Sequence, residues 1–111
     1  MAKAKPAKAR PKAEDPVKVD AKHYKVEVEN KQVRVLRISY GPHEKSVMHG
    51  HPAAVTVFLR EGRARFTFPD GRTEERSWAA GQSLFISSAE THLPENLAGE
   101  PLELVLVELK A

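Results

Sequence analysis

The 111-residue sequence contains no cysteine, and aromatic residues make up only 6% of it. Without cysteine the chain cannot use a disulfide scaffold, a thiol nucleophile, an iron–sulfur cluster or thiolate-bound zinc. No apolar run approaches the roughly 20 residues that a membrane-spanning helix needs, which excludes such a helix. Hydrophobic residues are nevertheless 41% of the chain, which is enough for one small core, and the length predicts a single domain.

Positive charge is concentrated at the start of the sequence. Residues 1–22 contain seven Lys or Arg and three Asp or Glu, whereas the remainder contains 11 basic and 12 acidic residues. The first segment is rich in Lys, Ala and Pro, so we predict a disordered basic leader over 1–22 and a folded domain over 23–111. The leader lacks the apolar region of a secretory signal, and by elimination we expect a cytoplasmic protein. Nucleic-acid binding by the leader is disfavoured because the folded part has no basic excess.

From Tyr24 onward, apolar and polar residues alternate with a period of two. This alternation, interrupted by Gly and Pro, predicts short antiparallel strands. Pro69-Asp70-Gly71 predicts a hairpin turn. Because no stretch of ten residues has helical spacing of its apolar residues, we predict an all-β sandwich or barrel. The predicted strands cover 24–29, 33–40, 47–59, 63–68, 73–78, 83–87 and 102–109.

Three of the five histidines are spaced as metal ligands could be. His49 and His51 lie two residues apart on a predicted strand, so their side chains share one face. His92 comes from a separate segment that could lie opposite. An isolated inward histidine is often only a hydrogen-bonded structural residue, but three from two segments favour a metal site. Val47, Val55 and Val57 are odd-numbered like the histidine pair, so we expect their side chains on the same inward face. Together with Phe85 from a nearby strand, they are predicted to line a pocket.

Two segments resemble the paired motifs of the cupins, a superfamily of jelly-roll metalloproteins. The first motif, G-x5-H-x-H-x3-E-x6-G, is similar to the segment from His43 to Gly62, and the second, G-x5-P-x-G-x2-H-x3-N, to the segment from Gly81 to Asn96. The resemblance covers roughly residues 33–109 and implies a cupin-type jelly-roll β-barrel of antiparallel strands. It implies metal ligation by the three histidines and structural roles for Gly62, Gly81 and Asn96.

The sequence departs from these motifs at four positions. His43 replaces a glycine of the first motif, and Ser87 and Ala89 replace the Pro and Gly of the second. Val55 stands where the family has a carboxylate ligand, so the resemblance implies three neutral imidazoles with no protein charge. Such a ligand set favours iron(II), zinc, nickel or copper over manganese or magnesium.

The resemblance leaves the function open between two classes. Cupins with only histidine ligands include iron(II) dioxygenases, which implies a dioxygenase-type oxidoreductase acting on a small metal-chelating molecule. Three histidines with open positions are also the ligand set of catalytic zinc. The alternative is a non-catalytic module that binds or senses a small molecule. No general acid or base is evident, since Glu90 and Glu95 beside His92 are expected on the surface or behind the ligands.

Two segments, 55–59 and 104–107, are apolar on both faces of their predicted strands. A strand with two apolar faces needs a cover on its outer side. Since small cupins commonly form dimers through such a face, we expect a homodimer.

Overall fold

The computed structural model describes residues 14–110. Within this range one short helix precedes nine strands. The elements are α1 (Pro16–Val19), β1 (Tyr24–Glu29), β2 (Val33–Tyr40), β3 (His49–His51), β4 (Ala54–Phe58), β5 (Gly62–Thr67), β6 (Thr73–Trp78), β7 (Ser83–Ile86), β8 (Glu90–Asn96) and β9 (Leu102–Leu109). No helix in this range is long and apolar enough to cross a membrane.

The strands form two antiparallel sheets. The larger sheet has the order β1-β2-β9-β4-β7, and the smaller sheet has the order β3-β8-β5-β6. Each named pair of neighbouring strands is antiparallel. The prediction of an all-β barrel of antiparallel strands is therefore confirmed.

The segment predicted as one strand over 47–59 is two strands in different sheets. β3 pairs with β8 in the smaller sheet, whereas β4 lies between β9 and β7 in the larger one. The chain crosses between the sheets at Pro52 and Ala53, where proline has no N–H to donate to a sheet ladder. This crossing brings the histidine pair of β3 onto the smaller sheet.

Residues 14–22 belong to the folded domain, so the predicted boundary of the leader is wrong there. Asp15 caps α1 by accepting a hydrogen bond from the Val17 N–H at 3.0 Å, and Pro16 begins the helix and is buried. The Gly50 N–H donates to the Glu14 carbonyl oxygen at 2.9 Å. An Asp cap followed by proline is a helix-start signal that average composition conceals. Residues 1–13 of the predicted leader lie outside the described residues.

The core lies on the inner face of the larger sheet. Two of its members, Tyr24 and Tyr40, share a hydrogen bond between their hydroxyls at 2.6 Å. Phe58 of β4 stacks on Trp78 of β6 at 4.5 Å between ring centroids, which joins the two sheets. The buried cluster consists of Tyr24, Leu36, Ile38, Tyr40, Ala54, Leu102 and Leu106.

The outer face of the larger sheet carries an apolar row that crosses all five strands. Strand register places Val28 opposite Val35, then Val107, Val55 and Phe85 in turn. These side chains point outward because the residues that alternate with them on β2, β4 and β9 are buried. The row is exposed to solvent, most strongly at Val28 and Phe85.

Candidate metal centre

The three histidines singled out in the sequence meet inside the barrel. His49 on β3 is the direct cross-strand partner of His92 on β8, and His51 lies two residues along the same face. The ring centroids of the three side chains are 4.8–5.3 Å apart. One ring nitrogen from each lies within 4.8 Å of the others, and all three residues are buried. The structure thus brings together the predicted ligand set, while metal binding itself stays a prediction.

The ring of His49 is oriented by the backbone. Its Nδ1–H donates to the Val47 carbonyl oxygen at 2.8 Å, which fixes the tautomer with the lone pair on Nε2. His49 is fully buried, and among residues 14–110 its Nε2 atom has no hydrogen-bond partner. A buried polar atom without a partner costs free energy comparable to a lost hydrogen bond, so its presence here points to a ligand.

The ring of His51 is held by a carboxylate from a distant strand. His51 Nδ1 lies 2.7 Å from Glu108 Oε2 on β9. The other oxygen of Glu108 accepts from Arg34 Nε at 2.8 Å, and Arg34 also binds Asp15. Burial raises the pKa of Glu108, but the hydrogen bonds from His51 and Arg34 outweigh burial and hold the pKa below its ordinary value. Glu108 is therefore ionised and accepts the Nδ1–H of His51.

The ring of His92 is held in the same way by Glu90. His92 Nδ1 lies 2.7 Å from Glu90 Oε1, and Arg76 donates to Glu90 Oε2 at 3.1 Å. The hydrogen bond from His92 and that from Arg76 lower the pKa of Glu90 to about 2. Arg76 also lies over the ring of Phe66, 4.4 Å from its centroid, so the guanidinium is fixed on the wall of the site.

Burial keeps the imidazoles of His49 and His92 neutral. It lowers the pKa of His49 to about 3, with the neighbouring His51 and His92 acting in the same direction. Burial also lowers the pKa of His92, and the contact with Glu90 opposes this only in part. With each Nδ1 committed to an oxygen acceptor, Nε2 is the nitrogen left to bind an ion. Imidazoles fixed by carboxylates and a carbonyl fit a divalent transition metal.

The predicted ligand set contains no carboxylate, but charged groups lie behind it. Glu108 and Glu90 lie directly behind two of the histidines and are ionised. Glu90 is thus behind a ligand, one of the two places expected for it. Glu108 was missed, although the sequence carries a signal: it continues the apolar row of Leu102, Leu104 and Leu106 on β9, and an acid on an inward row needs a partner.

A cavity of about 120 Å³ adjoins the histidines. His51 and His92 form part of its wall, and the rest is mostly apolar. The larger apolar side chains include Ile38, Phe58, Phe66, Trp78, Leu102 and Leu106. A cavity of this kind suits a small molecule with an apolar body and few polar atoms.

The predicted pocket lining of Val47, Val55, Val57 and Phe85 is corrected, because none of the four lines this cavity. Val47 is 47% exposed and Phe85 is 59% exposed. After the crossing at Pro52, even-numbered rather than odd-numbered residues point inward. Val55 and Val57 therefore face outward, whereas the cavity is lined by Ala54, Thr56 and Phe58. On β4 the inward residues on either side of the expected carboxylate position are therefore Ala54 and Thr56.

The three residues expected to have structural roles have local features that explain their identity. At Gly62 an added Cβ would lie 2.9 Å from Trp78 Cζ2. Gly81 has φ of 85°, in the left-handed region that favours glycine. Asn96 is buried, donates to the carbonyl oxygens of Gly41 and Glu100, and accepts from the Ala98 N–H. These backbone contacts fit the structural role expected for Asn96.

Comparisons with known proteins identify the barrel. The family profile described as the cupin domain matches residues 36–108. A cupin domain from Bordetella pertussis Tohama I superposes with a TM-score of 0.73 at 22% identity, covering 79% of this chain and 92% of that one. An RmlC-like cupin with a double-stranded β-helix fold from Methanocaldococcus jannaschii gives 0.61 at 21% identity, covering 82% and 84%.

A third structure is that of a larger enzyme. Bacillus subtilis oxalate decarboxylase, whose structure was described for its Mn(II) centres, gives a TM-score of 0.56 at 20% identity. The match covers 72% of this chain and 22% of the decarboxylase. No protein with a curated function matches the sequence. The likenesses confirm the predicted type of barrel, and at these identities they concern the fold alone.

Proposed function

Since the chain belongs to the cupin family, we propose that it binds one divalent transition-metal ion through His49, His51 and His92. We propose further that it is a metal-dependent enzyme, a dioxygenase-type oxidoreductase acting on a small metal-chelating molecule. The observation that carries the proposal is the buried, unpartnered Nε2 of His49 beside two further imidazoles whose Nδ1 atoms are already committed. The three histidines are preorganised for an ion at the wall of an apolar cavity.

In this proposal the histidines hold the ion, and the cavity wall holds the organic ligand. The histidines leave part of the coordination sphere free, because three protein ligands do not complete that of a transition metal. When bound, such a metal supplies Lewis-acid or redox chemistry to a molecule that chelates it. The apolar wall, including Phe58, Phe66 and Trp78, excludes water and packs against the organic part of that molecule.

We propose iron(II), zinc, nickel or copper as the metal. All three ligands are imidazoles, which suit these ions, and the inward residues of β4 (Ala54, Thr56 and Phe58) include no carboxylate. The manganese of oxalate decarboxylase belongs to a protein of which this chain covers only a small part. The cytoplasmic location and the homodimer expected from the sequence stay predictions.

A non-catalytic binding or sensing module is the second candidate, and one observation favours it. The ionised groups closest to the histidines, Glu90 and Glu108, are each tied to an arginine and a histidine. A carboxylate held in this way is poorly placed to exchange a proton with a ligand in the cavity. In this case the metal would anchor the ligand without chemistry.

Metal binding is tested with untagged protein stripped by chelator and then titrated anaerobically with iron(II), zinc, nickel and copper. Elemental analysis after desalting should give close to one ion per chain for wild type. The variant His49→Ala/His92→Ala should lose the ion and keep its β-sheet circular dichroism spectrum. The matched control His43→Ala, at an exposed histidine, should retain the ion.

Two outcomes decide between the functions. Ligand-dependent oxygen uptake by iron-loaded wild type, absent in the double variant, would support the oxidoreductase. Stoichiometric metal and ligand binding without turnover would support the binding module. Absence of bound metal in wild type for all four ions, or equal occupancy in the double variant, would contradict the proposed centre.

A further inference from the structure

A third carboxylate lies behind the third histidine, through one intervening hydroxyl. The Ser46 hydroxyl donates to Asp20 Oδ2 at 2.5 Å. Its oxygen lies 3.2 Å from His49 Nδ1. Because the hydroxyl proton is directed to Asp20, the Ser46 oxygen accepts from the Nδ1–H of His49, which it shares with the Val47 carbonyl. Asp20 thus contacts His49 indirectly, through the Ser46 hydroxyl.

Asp20 is itself held in place by a buried histidine. Both carboxylate oxygens of Asp20 lie 2.8–2.9 Å from His23 Nδ1. His23 Nε2 lies 2.9 Å from Glu44 Oε1, and Lys22 donates to the other Glu44 oxygen at 2.9 Å. The His23 ring stacks on Tyr40 at 4.2 Å between centroids. The chain of contacts runs unbroken from the surface pair of Lys22 and Glu44 to the metal site.

A carboxylate therefore lies behind each of the three histidines. Glu108 stands behind His51 and is fixed by Arg34, and Glu90 stands behind His92 and is fixed by Arg76. Asp20 stands behind His49, fixed by the buried imidazole of His23. The difference is that Glu90 and Glu108 make direct contact, whereas Asp20 acts through Ser46.

We infer that the segment 14–23 is part of the metal centre, with Asp20 as the positioning residue for His49 acting through Ser46. The inference rests on the proposed metal binding by the three histidines. It extends the centre beyond the part of the chain that matches the family, because Asp20 and His23 precede residue 36. The same segment also reaches the His51 side, since Asp15 binds the arginine that holds Glu108.

A carboxylate behind a histidine ligand has a measurable effect on the affinity for the metal. A carboxylate behind an imidazole fixes the ring and makes its free nitrogen more basic, and losing one typically lowers metal affinity by about 10–100-fold. Because Asp20 acts through a hydroxyl that shares the His49 proton with a carbonyl, we expect a loss near the lower end, about tenfold. His49 would keep its hydrogen bond to Val47 and remain folded into the site.

The experiment uses the full chain and compares Ser46→Ala, Asp20→Asn and the double variant. The matched control is Asp70→Asn, which neutralises an exposed carboxylate in the hairpin turn. Zinc and cobalt(II) affinities are measured by competition with a chromophoric chelator. The cobalt(II) absorption spectrum is recorded for each saturated protein, and unfolding of the metal-free proteins is measured in parallel.

We expect each single variant to lose about tenfold in affinity and to shift the cobalt(II) bands, with no change in Asp70→Asn. The double variant should lose no more than the stronger single variant, because both changes break one path. Additive losses, or lower stability with unchanged affinity and spectrum, would overturn the inference by showing a merely structural role. Failure of wild type to bind either ion would instead contradict the proposed function on which it rests.

Discussion

Lowering the pH from 7 to 5 should destabilise the metal-free protein, and His49 should account for much of the effect. The pKa of His49 is about 3 in the folded protein, against an ordinary value of about 6.5 in an unfolded chain. Between these values the unfolded state binds the proton and the folded state does not. Stability is therefore complete above pH 6.5 and is lost as the pH falls toward 3. From pH 7 to pH 5 linkage gives a loss of about 2 kcal/mol from this residue alone.

The assay is urea unfolding of chelator-treated protein at several values between pH 7 and pH 5. The perturbation is His49→Asn, which retains a side-chain N–H able to donate to Val47 and removes the titratable nitrogen. His43→Asn changes an exposed histidine and serves as the control. We expect the pH dependence to weaken in His49→Asn by about 2 kcal/mol over this range and to persist in the control. Equal slopes for wild type and His49→Asn would refute the argument that burial keeps this imidazole neutral.

Three further predictions concern other parts of the barrel. Glu108→Gln should lower zinc affinity by about 10–100-fold in competition titrations, whereas Glu103→Gln, partly exposed on the same strand, should not; equal affinities would exclude a role for Glu108. Val55→Glu should convert a dimer to a monomer in light scattering and leave zinc affinity unchanged, because the side chain lies on the outer apolar row; a monomeric wild type would contradict the expected dimer. Asn96→Ala should lower the free energy of unfolding by about 1–3 kcal/mol in denaturant titrations by leaving buried backbone groups unpaired. The exposed turn variant Asn30→Ala should cost less, and a reversed order would contradict this account.

The sequence was most informative where a local rule determines the structure. Alternation of apolar and polar residues predicted strands that closely match β1, β2, β6 and β9, and on β2 and β9 one face is more buried than the other. The spacing of His49 and His51 likewise predicted a shared face. The position of His92 opposite them came from the resemblance, since no local pattern relates residues on separate strands.

The errors arose where a contact between distant residues overrides the local pattern. One proline moved the chain to the other sheet and reversed which residues of β4 face the cavity, and a parity argument cannot detect such a crossing. Glu108 contacts His51 across 57 positions, and Arg34 contacts Glu108 across 74. The composition of residues 14–22 resembles that of a solvated tail, and composition cannot reveal that Asp15 pairs with Arg34 and Lys22 with Glu44 in the folded barrel.

The position of β9 has a consequence for how the protein is made. This strand is the last of the barrel to leave the ribosome, yet it lies between β2 and β4 in the middle of the larger sheet. Until it inserts, both neighbours present open edges, and Arg34 and His51 lack the carboxylate that joins them. In a nascent chain the proposed metal site therefore lacks the carboxylate behind His51, so we expect full metal affinity only after β9 has inserted. The interval before insertion, with two unpaired strand edges, is when the chain is most prone to aggregate.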